Sequence, residues 1–70
     1  VRRMSSREVQ AILRRYGFVL VSQKGSHQKW RHPDSGAQVI VPDHGGKSLP
    51  IGTMLAIFKG GEIPESEYRG

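Results

Sequence analysis

Seventy residues with 36% apolar content, no cysteine and a formal charge of +5 describe one small domain, residues 1–70, with a modest and unstapled core. That composition excludes a disulfide scaffold and thiolate–metal chemistry, and no apolar run nears the roughly 20 residues of a membrane span. The charge is lopsided, with eight Lys and Arg against Glu8 alone in residues 1–31, and three against five acids in residues 32–70. A basic half beside a mildly acidic half points to a polyanion, although a solvated basic surface accounts for the charge equally well. The N-terminal arginines are followed by no apolar h-region, so no signal peptide is expected and the cytoplasm is the default compartment. No cationic amphipathic helix carries large apolar anchors, which disfavours a membrane surface.

In chain order, Ser5 and Glu8 have the spacing of a capping box. Val9, Ile12, Leu13 and Tyr16 then recur at helical spacing, and Gly17 supplies a stop. The spacing predicts an amphipathic helix of about three turns. Residues 18–23 are β-branched and aromatic and too short for a second helix, so they read as a strand ending at Lys24-Gly25. Residues 26–32 read as its hairpin partner. Pro33-Asp34-Ser35-Gly36 is a turn with a mechanism: Pro sets φ, Asp bonds local backbone and Gly takes positive φ. Residues 37–41 form a third strand closed by Pro42, and residues 43–48 a polar loop. Pro50 suits the first turn of a second helix, with Ile51, Met54, Leu55 and Phe58 as its apolar stripe and Gly60-Gly61 as its end. Ile63 and Tyr68 flank Pro64-Glu65-Ser66-Glu67, read as a short helical turn that docks its apolar ends.

The expected fold is therefore α+β, in the order α-β-β-β-α with a C-terminal hook. A three-stranded antiparallel sheet would carry both helices on one face and leave the other to solvent. Trp30 is assigned to the core, with Val39, Val41, Val19 and Val21 beside it. Strand alternation then places His27, Lys29 and Arg31 together on the open face. Trp30 as a base-stacking platform is the alternative, and it would turn His27 away from the nucleic acid.

His27 is the sharpest candidate for chemistry. Metal-free RNA cleavage needs a base for the 2′-OH, an acid for the 5′-oxygen and cations for the charge on phosphorus. An imidazole can take either proton role, while Lys24, Lys29 and Arg31 supply charge. Ser26 and the backbone N–H groups around Gly25 could cradle a phosphate oxygen. The bland alternative is a strand histidine that tolerates solvent. His27, His32, His44 and Asp43 could together suggest a metal site, but none has a recognised ligand spacing; no metal and no cofactor is expected. Lys47, near the second helix, and His44 in the same loop are plausible phosphate contacts. Gly45-Gly46-Lys47 lacks the spacing of a nucleotide-binding P-loop. Ser26 and His27, adjacent on a strand, would face opposite sides and form no nucleophilic pair.

Gln23-Lys24-Gly25-Ser26-His27, followed by Trp30, Val39-Ile40-Val41-Pro42-Asp43-His44, Leu49-Pro50-Ile51-Gly52-Thr53 and Gly60-Gly61-Glu62-Ile63, resembles the HicA (YcfA-like) toxins of bacterial type II toxin–antitoxin systems. The resemblance covers almost the whole chain. It implies a double-stranded-RNA-binding-domain-like fold and translation-independent, metal-free mRNA interferase activity in which the histidine matching His27 is essential. His44 matches the family's second histidine and is carried over as a supporting residue. The resemblance also implies a HicB-type antitoxin that covers the active histidine, the pair repressing its own operon; the free chain is expected to be monomeric. In two places the chain departs from its relatives. Pro64 stands near where many of them begin a short acidic helix, and the second helix carries only Lys59 where they are often richer in Lys or Arg. That shifts the expected RNA contact toward the first helix and second strand. Two other functions compete: a non-catalytic RNA-binding module, and a degenerate toxin kept for operon control. A pure binder has no need of a titratable group at position 27, and the intact Gly25-Ser26-His27 argues against degeneration.

Overall fold

The computed structural model describes residues 1–70. Its elements are α1 (Ser6–Arg15), β1 (Val19–Lys24), β2 (His27–Arg31), β3 (Gln38–Pro42), α2 (Ile51–Gly60) and a 3₁₀ turn at Glu65–Glu67. The strands form one antiparallel sheet in the order β1-β2-β3. Both helices pack on β3, and Trp30, Val39 and Val41 meet Val9, Ile12, Leu13, Met54, Ile57 and Phe58 in one core. Trp30 is 1% exposed, which rules out a stacking platform for bases.

α1 starts where the sequence says it should. The Ser5 hydroxyl accepts from the Glu8 N–H, and the Glu8 carboxylate accepts from the Ser5 N–H. That backbone hydrogen bond, helped by the Arg2 guanidinium, holds the Glu8 carboxyl below its ordinary value.

Both helices end in the same hydrogen-bond pattern. After α1, Phe18 N–H reaches Leu13 O and Gly17 N–H reaches Arg14 O, with Gly17 at φ +91°. After α2, Ile63 N–H reaches Phe58 O and Glu62 N–H reaches Lys59 O. Here the left-handed position falls on Glu62, at φ +58°, one residue past the two glycines. A side chain in that conformation costs about 1–2 kcal/mol. Glu62→Gly is therefore expected to stabilise the fold by about 1 kcal/mol, raising Tm by roughly 4–8 °C in a domain this small. Thermal unfolding followed by circular dichroism checks this; an unchanged or lower Tm would contradict it.

Two expectations about the core need correction. Val19 and Val21 are 48% and 47% exposed, and every residue of β1 is exposed. The cause is a bulge: Leu20 pairs with Trp30 and Ser22 with Lys29, which leaves Val21 without a partner. One extra residue inverts the alternation upstream of it. Val19 thus pairs with Arg31 on the open side, and Leu20 takes the helix side at the sheet margin. In α2 the buried face is Met54, Ile57 and Phe58, whereas Ile51 is 38% exposed. The helix is apolar on more than one side, so spacing alone selects no face. Pro50 stands at the N-cap of α2 rather than inside its first turn. The tail forms the expected short turn, with Ile63 and Tyr68 buried at its ends and the Tyr68 ring stacked on Phe58.

Candidate nucleic-acid interface and active histidine

Lys24-Gly25-Ser26-His27 is a two-residue hairpin connection between β1 and β2, with Lys24 and His27 directly paired. Gly25 takes φ +60° and Ser26 does not take positive φ, the pattern of a type II′ turn, which calls for glycine at its first central position. Directly opposed residues on one face lie with Cβ atoms about 5 Å apart. Lys24 is therefore the cation next to His27. The turn is anchored from the loop that follows β3, where the Asp43 N–H donates to the Ser26 carbonyl at 2.6 Å.

β2 alternates without interruption: His27, Lys29 and Arg31 are exposed, while Gln28 and Trp30 are buried. Pairing places Lys24, Ser22 and Val19 of β1, and Pro42, Ile40 and Gln38 of β3, on the same face as these three. No carboxylate stands among them. The salt bridges of the protein are Arg2–Glu8 and Arg15–Glu67, both elsewhere, so no carboxylate pairs with Lys24, Lys29 or Arg31. Neither concavity of the surface reaches His27. One cleft of about 390 Å³ lies between β3 and α2, and one of about 200 Å³ lies beside Tyr16, Phe18 and His32. The histidine is thus offered on an open, cationic sheet face suited to an extended polymer rather than in a pocket for a small molecule.

The loop carrying His44 and Lys47 leads into α2, as expected. It is also tied to the start of α1: His44 N–H donates to the Ser6 hydroxyl, which donates to Gly45 O, and Ser48 bridges to Ser5. His44 and Lys47 are both exposed there. The Asp43–Ser26 bond holds this loop against the hairpin tip, so His44 follows immediately on the residue that anchors the His27 turn. His32 belongs to neither. It lies five residues from His27, about 16 Å along an extended strand. Its Nδ1 accepts the N–H groups of Asp34 and Ser35, and its ring packs edge-on against Phe18. It shapes the β2–β3 connection, and no group of three or more His, Cys, Asp or Glu residues is placed to hold a metal ion.

A polar network behind the turn, centred on the buried Gln28, is the part that sequence reasoning passes over. Gln28 bonds Trp30 Nε1, Gln23 and Asp43, and Gln23 bonds Gly25 O. The available signal was alternation itself, since assigning Trp30 to the core sends Gln28 inward too.

A three-stranded antiparallel sheet with both helices on one face and a bare cationic face opposite is a double-stranded-RNA-binding-domain-like α+β fold. A family model described as the HicA toxin of bacterial toxin–antitoxin matches residues 6–61, from the first residue of α1 to just past α2. The chain belongs to the HicA toxin family, the toxins of toxin–antitoxin pairs that are generally mRNA interferases. Membership brings a ribonuclease class of activity, an RNA substrate and an antitoxin partner. A comparison with curated proteins returned no match.

Proposed function

We propose that this toxin is a metal-independent endoribonuclease that cleaves mRNA on the open face of its sheet, with His27 as the proton-transfer group. The observation that carries the reading is the company His27 keeps: Lys24 paired across the turn, Lys29 and Arg31 along the same strand, and no carboxylate on that face. As a base, the imidazole takes the 2′-OH proton while the 2′-oxygen forms a bond to phosphorus. The bond to the 5′-oxygen breaks, and that oxygen must receive a proton as it leaves. Lysine and arginine stabilise the extra negative charge on the phosphoryl oxygens at the moment it develops. Gly25, Ser26, His44 and Lys47 serve as backbone and side-chain phosphate contacts around this centre. A HicB-type antitoxin, acting in the cytoplasm, would neutralise the toxin by covering the same cationic face.

The reading is tested on purified protein and a defined RNA. Cleavage is expected to persist in EDTA and to stop when the 2′-OH at the scissile position is replaced by hydrogen. RNA affinity should fall with salt, by about 0.7 in log K per log unit of salt for each single-strand phosphate contacted. Cleavage lost in EDTA, or retained on the 2′-deoxy substrate, would refute the mechanism. Tight RNA binding with no cleavage under any condition would favour a binding module.

A further inference from the structure

Behind the exposed hairpin, side chains from β1, β2 and the loop after β3 converge on the turn that carries His27. Their hub is Gln28, a polar residue only 6% exposed, next to His27 in the chain and facing the opposite way. Trp30 Nε1 is a donor only, so the Gln28 Oε1 must face it, at 3.1 Å. That choice turns the two N–H bonds of Gln28 Nε2 toward acceptors, Gln23 Oε1 and Asp43 Oδ2, at 3.4 Å each. Gln23 in turn donates through Nε2 to Gly25 O at 3.0 Å, and the Asp43 N–H donates to Ser26 O at 2.6 Å. Both carbonyls of the turn are thereby engaged by residues that Gln28 holds. No buried polar side-chain atom in the protein lacks a partner, so the network is complete. The His27 side chain is exposed, and its backbone, paired with Lys24 and Pro42, fixes where it stands.

We propose that Gln28 is a positioning residue: through Gln23 and Asp43 it holds the Gly25-Ser26 turn, and thereby sets His27 against the scissile phosphate. This rests on His27 being the proton-transfer group. A misplacement of about 1 Å in a reacting group can cost on the order of 100-fold in rate, whereas phosphate contacts by Lys29 and Arg31 do not depend on the turn. Loss of Gln28 should therefore appear in kcat rather than in KM.

The test is a charge-matched pair of substitutions. Gln28→Glu keeps an acceptor for Trp30 but sets a carboxylate against Asp43. Asp43 accepts from both the Gly45 N–H and Gln28 Nε2, so Asp43→Asn leaves one acceptor for two donors. The two together restore one donor facing one acceptor between positions 28 and 43, while Gln23 Oε1 still meets a carboxylate. Each single variant is expected to cleave RNA about ten- to 100-fold more slowly with KM within about twofold, and the pair to recover part of the lost rate. In parallel, hydrogen exchange at the Asp43 amide should quicken in each single variant and slow again in the pair. Unchanged kcat in Gln28→Glu overturns the proposal, as does a loss that the second substitution fails to rescue. Failure of the His27 reading would be seen separately, as undiminished cleavage by His27→Ala. The exchange measurement then decides the role of Gln28 in the turn, and unaltered Asp43 protection overturns it.

Discussion

Replacing His27 with alanine is expected to lower RNA cleavage by about 10²–10⁴-fold, the usual contribution of one general acid or base, and to leave the fold intact. The side chain is exposed and supports nothing. Lys24 and Pro42 oppose it through backbone pairing, which alanine preserves. Substitutions at such positions usually move stability by no more than about 0.5 kcal/mol. The distinguishing feature is thus a lost rate with an unchanged Tm and nearly unchanged RNA affinity. Lys29→Ala should behave the other way, weakening RNA binding and reducing its salt dependence by about one phosphate contact. Induction in cells gives the physiological version, with the wild-type chain arresting growth and degrading mRNA and His27→Ala doing neither. Equal arrest by both chains would remove His27 from the chemistry.

Trp30→Ala should abolish the fold rather than the chemistry. Truncating a buried Trp costs about 3–5 kcal/mol, and a domain of this length has a total of roughly 3.5–10 kcal/mol to lose. Trp30 is 1% exposed, packs in the core from the centre of the sheet, and lies 5.1 Å beneath the Arg14 guanidinium. Its indole N–H is also the partner of Gln28 Oε1, so alanine leaves a buried acceptor unpaired as well as a cavity. Urea titration should show a midpoint near zero denaturant, or no folded baseline. Trp30→Phe separates the two contributions, because it retains most of the volume and loses only the hydrogen bond. A Tm shift of only a few degrees in Trp30→Ala would mean that the sheet is held in some other way.

These two residues lie three apart on one strand, and strand alternation alone sends them to opposite faces. That worked because β2 has no irregularity and its inward positions carry one unmistakable core side chain. The α1 capping box was legible for a similar reason: Ser5 and Glu8 are neighbours whose hydrogen bonds need nothing distant. β1 was misread because its bulge is a property of pairing. Nothing in Val19-Leu20-Val21 says which residue goes unpaired until Trp30 and Lys29 claim Leu20 and Ser22. The buried face of α2 was obscured by apolar residues on several sides. The loop at His44 leads into α2 as its chain position implies, but its anchor at Ser6, 38 residues away, is created by folding. At the candidate site, the shared exposure of His27, Lys29 and Arg31 is legible in the sequence, but the scaffold behind them is not. The Gln28–Asp43 contact spans 15 residues and is created by folding.

The bulge has a consequence for the free toxin as a colloid. An outer strand with three adjacent aliphatic residues in solvent is the usual template on which one chain recruits another into a growing sheet. At Val21 the regular ladder is interrupted and the local twist increases, so a second straight strand cannot lie flush along β1. Lys24 at its end adds repulsion between copies. The unpaired Val21 thus works against edge-to-edge association of chains along β1.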